Sequence, residues 1–212
     1  LFRWQHWTSR ISVGQGFFAP TPLTEETEAA GLTHLSVPVP LRPEKGRSVS
    51  VDLTRRLGPA LFTATFFGSR ITNPLYVERE THYQLVNLSE PTTNIGTELL
   101  ATYRKSPFTI TASYTFVHSR ELYREMRVDV PLTPQHSAGI VGMWEKEDTG
   151  RIGLECYYTG RQRLEENPYR SESKPYLLFG AIIERKVGPV RLFLNAENLS
   201  NVRQTRWDSL LR

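Results

Sequence analysis

The residues of this chain with the widest chemical repertoire are five histidines and a single cysteine. A resident zinc or iron site needs ligands that converge, and in a sequence this shows as short, fixed His or Cys spacings. His6, His34, His82, His118 and His136 share no such spacing, and Cys156 has no second thiol to pair with. A Gly-x-Ser-x-Gly elbow or a zinc-binding His pair would flag hydrolytic chemistry, and neither occurs. The expectation is therefore no catalytic residue, no cofactor and no bound metal. His34, His82, His118 and His136 fall in or beside stretches that read as long loops. They are candidates for touching a ligand there, weighed against the ordinary reading of loop histidines as solvated.

The elements that would have to position any site are strands. Phe108, Ile110, Ala112, Tyr114 and Phe116 alternate with Thr109, Thr111, Ser113 and Thr115, a strict period of two. The same alternation sets Ile152, Leu154, Cys156 and Tyr158 against Arg151, Gly153, Glu155 and Tyr157. It sets Ile95, Leu99 and Ala101 against Gly96, Glu98 and Leu100. The pattern predicts nine strands, near 5–19, 47–57, 60–71, 93–105, 108–119, 136–147, 151–160, 176–186 and 190–197. Apolar residues make up 39% of the chain, and none of their runs approaches the roughly 20 residues of a spanning helix. Alternating barrel strands escape such a window, because their two faces average out. The net charge of +4 comes from Lys and Arg scattered among Glu, not from the basic cluster of a nucleic-acid binder. No nucleic-acid partner is expected.

Connection lengths alternate. Gly58–Pro59, Ser106–Pro107, Asp148–Thr149–Gly150 and Val187–Gly188–Pro189 are turn chemistry. Between them lie long loops at 20–46, 72–92, 120–135 and 161–175. Short, long, short, long puts every long loop at one end of an up-and-down sheet, as in outer-membrane barrels. In a bilayer such a sheet must close on itself, because no water is there to satisfy an open edge. Leu1–Phe2–Arg3–Trp4 already reads as strand, and nine strands is an odd number. The chain is expected to be part of a larger barrel, with at least one more strand beyond Arg212.

Four motifs, in order, carry a resemblance. Gly16–Phe17–Phe18–Ala19–Pro20–Thr21, with Leu23 and Glu25 behind, resembles the strand-to-loop signature of TonB-dependent outer-membrane receptors. Leu41–Arg42–Pro43–Glu44 is similar to the family's Leu-x-Pro-Glu, and Asn87 followed by Gly96–Thr97–Glu98 to its Asn and Gly-x-Glu. Asn198–Leu199 resembles its C-terminal Asn-Leu, although Phe18 and Ser200–Asn201 depart from the commoner residues. The resemblance implies an all-β, antiparallel, up-and-down transmembrane barrel segment, about nine strands of a roughly 22-stranded barrel. It also implies that 1–212 is a partial barrel domain, with the plug and final strand absent. The signature residues Gly16, Phe17, Ala19, Pro20, Pro43, Glu44, Gly96, Glu98, Asn198 and Leu199 read as architectural. The implied setting is the bacterial outer membrane, with its lipid, a plug domain, TonB and a scarce nutrient such as an iron-siderophore or cobalamin as partners. A passive porin-like barrel is the rival reading, followed by a small-barrel enzyme and a β-sandwich binding module.

Overall fold

The structure, a computed structural model, describes residues 1–20, 35–79, 83–123, 125–164 and 167–203. Its strands are β1 (Phe2–Trp4), β2 (Trp7–Phe18), β3 (Leu35–Ser36), β4 (Glu44–Leu57), β5 (Ala60–Thr72), β6 (Leu75–Arg79) and β7 (Tyr83–Asn87). They continue with β8 (Thr92–Lys105), β9 (Phe108–Tyr123), β10 (Met126–Asp129), β11 (His136–Lys146), β12 (Gly150–Thr159), β13 (Tyr176–Val187) and β14 (Val190–Ala196). One large sheet runs β1-β2-β4-β5-β8-β9-β11-β12-β13-β14, and β10 pairs with β9. Every neighbouring pair in it is antiparallel. The nine expected strands are the nine long ones, and the four short turns among them, together with the β1–β2 reversal, all emerge at one end.

Three differences from the sequence reading have physical causes. Leu1–Trp4, which reads as strand, does not run on into the first expected strand, 5–19, but folds back on it as β1, because the chain reverses at Gln5 (φ 46°). Gln5–His6 carries none of the usual turn residues. What joins the two arms is the Trp4–Trp7 pair, directly opposite in register with stacked rings 6.4 Å apart. The stretch 72–92 is not plain loop: β6 and β7 form a hairpin, and β3 lies parallel beside β7 in a second, three-stranded sheet. Strands of five and two residues are too short for alternation to announce them. The third difference is length, since β9 runs on to Tyr123 and β4 starts at Glu44. At about 3.3 Å per residue, strands of 14 and 16 residues exceed an apolar band of about 25 Å. They project beyond it at the long-loop end.

Register assigns every residue of the long strands to one of two faces. The outward face carries Ile11, Val13, Val49, Val51, Phe62, Phe66, Leu99, Ile110, Ile140, Leu154, Phe179 and Leu194. Many of these are exposed, Val13 to 81% and Leu194 to 68%. Only Val77 and Leu85, in the second sheet, are buried apolar residues among those described. A sheet that buries so little against itself needs lipid to cover its apolar face. Trp4, Trp7, Tyr103, Phe108 and Trp144 gather on this face toward the short-turn end, where an aromatic girdle belongs.

The opposite face is filled by complementary sizes. Gly96 lies directly opposite Phe67, whose ring folds over it, and a Cβ at Gly96 would overlap that ring and the Phe116 carbonyl oxygen. The ring can swing away; the backbone oxygen cannot. Gly96→Val is expected to cost about 1–3 kcal/mol by overpacking, read as a lower urea midpoint of the full-length protein in bilayers. Gly16, by contrast, faces Gly46 with open space around it, so Gly16→Ala is the neutral control.

Candidate functional site

The inward face is a polar surface built strand by strand. One register row crosses eight strands as Arg10, Asp52, Thr65, Glu98, Thr115, Ser137, Thr159 and Tyr176. The Thr65 hydroxyl donates to Asp52 Oδ1 at 2.9 Å, and hydroxyl pairs Thr54–Thr63 and Thr102–Thr111 stand at 3.1 and 3.5 Å in the next two rows toward the short turns. Acidic side chains keep to one face, whereas basic ones occur on both. Glu44, Asp52, Glu98, Glu121, Glu145, Glu155 and Glu184 are all the acids of the nine long strands, and all seven face inward. On those nine strands the outward face has no acid, but it has Lys45, Arg47, Arg70 and Arg120 near the long loops and Arg55, Lys105, Lys146 and Arg185 near the short turns. Charges at mid-bilayer are costly while long cationic side chains reach back to the interface, so rims are where such residues can sit.

At the short-turn end Glu184 holds two guanidinium groups, Arg191 Nη1 at 2.6 Å and Arg151 Nη2 at 3.1 Å, across three strands. At the long-loop end Asn94 bridges its neighbours, donating to Ser69 Oγ at 3.0 Å and accepting from Ser119 Oγ. Above it Arg163 ties two long loops together. It donates to the Asp129 carbonyl at 3.0 Å, pairs with Glu121 at 3.5 Å and lies 4.9 Å from the Tyr123 ring centre.

The expected signature residues take defined places. The Asn87 amide accepts from the Arg42 N–H at 2.7 Å and donates to the carbonyls of Arg42 and Asn73 at 3.0 and 2.8 Å. Glu44 accepts from the Leu75 N–H at 2.6 Å, and Pro43 O accepts from Asn73 Nδ2 at 3.2 Å. Residues 42–44 and 87 thus clamp the β6–β7 hairpin to the root of β4. Phe17 is the last outward-facing residue of β2, and Ala19–Pro20 follow where pairing stops. Glu98 faces inward and is exposed. Asn198 (φ 50°) closes its own turn through Val202, and the Leu199 N–H reaches Phe179 O at 2.8 Å, extending the edge of β13.

Among the described residues the histidines do not converge. His118 lies opposite Ile95 and His136 opposite Phe116, both on the outward face. His136 Nδ1 shares a 2.7 Å hydrogen bond with the Tyr114 hydroxyl and packs against the Phe116 ring. His34 and His82 lie outside the described residues, as do Thr21, Leu23 and Glu25. The Asn94–Ser69–Ser119 bridge and the Arg163 tie escaped the sequence reading. Asn94 and Ser119 fall within two expected strands, but only strand pairing shows that they meet.

Comparison with known proteins agrees with this architecture. The family model "TonB dependent receptor-like, beta-barrel" matches residues 2–199. The fold is similar to the ferric-catecholate import receptor Fiu of E. coli K12, with a TM-score of 0.69 and 14% identity, covering 93% of this chain and 29% of that one. It is similar to the FrpB iron transporter of Neisseria meningitidis at 0.73 and 15%, covering 93% and 33%. It also resembles the siderophore receptor PirA of Acinetobacter baumannii at 0.73 and 12%, covering 92% and 35%. No curated protein matches. The chain thus spans about a third of the length of these solved proteins. With a family model matched across nearly all of its length, the chain belongs to the TonB-dependent receptor β-barrel family of the bacterial outer membrane.

Proposed function

We propose that the chain is part of a receptor that takes up a scarce nutrient, an iron-siderophore complex first and cobalamin second. In this reading it contributes its strands to a closed barrel of about 22, and the energy comes from TonB through a plug domain of the same protein. The observation that carries the reading is the eight-strand row from Arg10 to Tyr176. It offers carboxylate, guanidinium and hydroxyl groups on the face that would line a lumen. Such a surface can pair with a plug or pass a polar ligand. Ligand selection would fall to the long loops, which Arg163 and the Asn87 clamp hold over that end. Three of the similar solved proteins are named for iron or siderophore uptake.

Deletion of the full-length gene is expected to abolish growth on one ferric-siderophore as sole iron source. Uptake of radiolabelled iron by the complemented strain should disappear when TonB is removed. Uptake that persists without TonB would replace this reading with passive, porin-like diffusion.

A further inference from the structure

At the short-turn rim the two faces treat their cations differently. On the inward side Lys186 holds Asp148 at 3.0 Å, and Arg151 and Arg191 share Glu184. On the outward side Lys105, Lys146 and Arg185 are exposed, and among the described residues no carboxylate pairs with them. Lys146 and Arg185 belong to one register row, with Gly150 between them and opposite both. Two strand spacings set their Cα atoms about 9–10 Å apart. Gly150 (φ 146°) is buried, and a Cβ there would overlap the Glu184 carbonyl oxygen. No other side chain can therefore stand between the two cations, and the gap over the glycine stays open. The next row toward mid-membrane is Phe108, Trp144, Ile152 and Ile183, with Lys105 opposite Phe108. Ile152 and Ile183 are 45% and 51% exposed. One row further, Leu154 stands 62% exposed between Gly142 and Ala181. An apolar ridge with low ground on either side thus rises from the cationic gap.

We propose that Lys146 and Arg185, over Gly150, form a seat for one anionic glycerophospholipid of the periplasm-facing leaflet. The lipid phosphate lies in the gap, taken from one side by the guanidinium group and from the other by the ammonium group. Its acyl chains lie along Ile152, Ile183 and Leu154, and the Trp144 indole stands at the depth of the headgroup, where amphipathic rings settle. The missing acid decides the class of lipid. Two cations without a carboxylate attract a phosphate but repel the ammonium group of a zwitterionic headgroup, so the favoured lipid carries net negative charge. Short turns mark the periplasmic side of such barrels, which places this rim in that leaflet. The seat rests on membrane location alone and does not depend on which nutrient the receptor carries.

The test reads the fluorescence of Trp144, two residues from Lys146 on the same face, in the full-length receptor reconstituted into phosphatidylcholine vesicles. Its share of the signal is the difference between the protein and the Trp144→Phe variant. Brominated acyl chains quench an indole that they touch. Such chains are carried on phosphatidylglycerol in one series and on phosphatidylethanolamine in the other, and quenching against lipid fraction gives a relative association constant. Phosphatidylglycerol is expected to associate about thirtyfold more tightly. Lys146→Gln combined with Arg185→Gln should bring the two lipids level. Arg47→Gln combined with Arg70→Gln, at the opposite rim, should leave the preference unchanged. Equal quenching by both lipids in the unaltered protein would overturn the proposal. So would a preference that survives the first pair of substitutions, or one that falls equally in the second. The headgroup comparison uses neither pair, so a misfolded double variant cannot hide the answer. Siderophore uptake is expected to survive loss of the seat, which separates failure here from failure of the transport reading.

Discussion

Leu99→Arg is expected to destabilise the membrane-inserted protein by about 2–4 kcal/mol, and Leu100→Arg, one residue along the same strand, by close to nothing. The two leucines are almost equally exposed, 46% and 42%, so solvent accessibility alone does not distinguish them. Register does. Leu99 sits between Ala64 and Tyr114 on the outward face, whereas Leu100 lies between Thr63 and Ser113 on the inward one. A guanidinium at Leu99 must reach several residues along the strand before it meets water or phosphate. At Leu100 it enters a surface already lined with hydroxyl groups. Urea unfolding of the full-length protein from lipid bilayers measures both. Equal costs would mean that the outward face does not meet lipid, and the two-faced reading would collapse.

The second large effect concerns the small sheet above the long-loop end. Val77 and Leu85 lie directly opposite one another and are 3% and 1% exposed. They are the apolar centre of an element otherwise held by hydrogen bonds from Asn87 and Glu44. Truncating a fully buried leucine costs about 2–5 kcal/mol, which raises the open fraction of the hairpin at least roughly thirtyfold. Leu85→Ala should therefore speed proteolytic cleavage within 73–91 by about that factor when opening is fast relative to cleavage. The large sheet is expected to keep its urea midpoint, because its pairing does not pass through β6 or β7. Cleavage at the wild-type rate would show that the hairpin is supported by something other than this pair.

The contrast between these two sites separates what was legible along the chain from what was not. Alternation over nine residues in Phe108–Phe116, repeated in segments such as Ile152–Tyr158 and Ile95–Ala101, located those strands and assigned their side chains to a greasy or polar side. That follows because successive strand residues point to opposite faces whatever the strand pairs with. Turn residues at 58–59, 106–107, 148–150 and 187–189 determined which connections are short, and hence that the long loops share one end. Ordered signatures such as Pro43–Glu44 and Gly96-x-Glu98 pointed to the family that the matched residues then established.

Only the tertiary structure decided the contacts between strands. The reversal at Gln5 depends on two tryptophans meeting across a turn that has no turn residues. The β6–β7 hairpin depends on Asn87 reaching Arg42, 45 positions away. That Arg47 faces Arg70, and that His118 and His136 share the outward side with Phe116, are matters of register. A period of two tells which way a side chain points relative to its own neighbours. Which residue stands opposite is set by backbone hydrogen bonds between segments far apart in the chain, and no local pattern encodes that pairing.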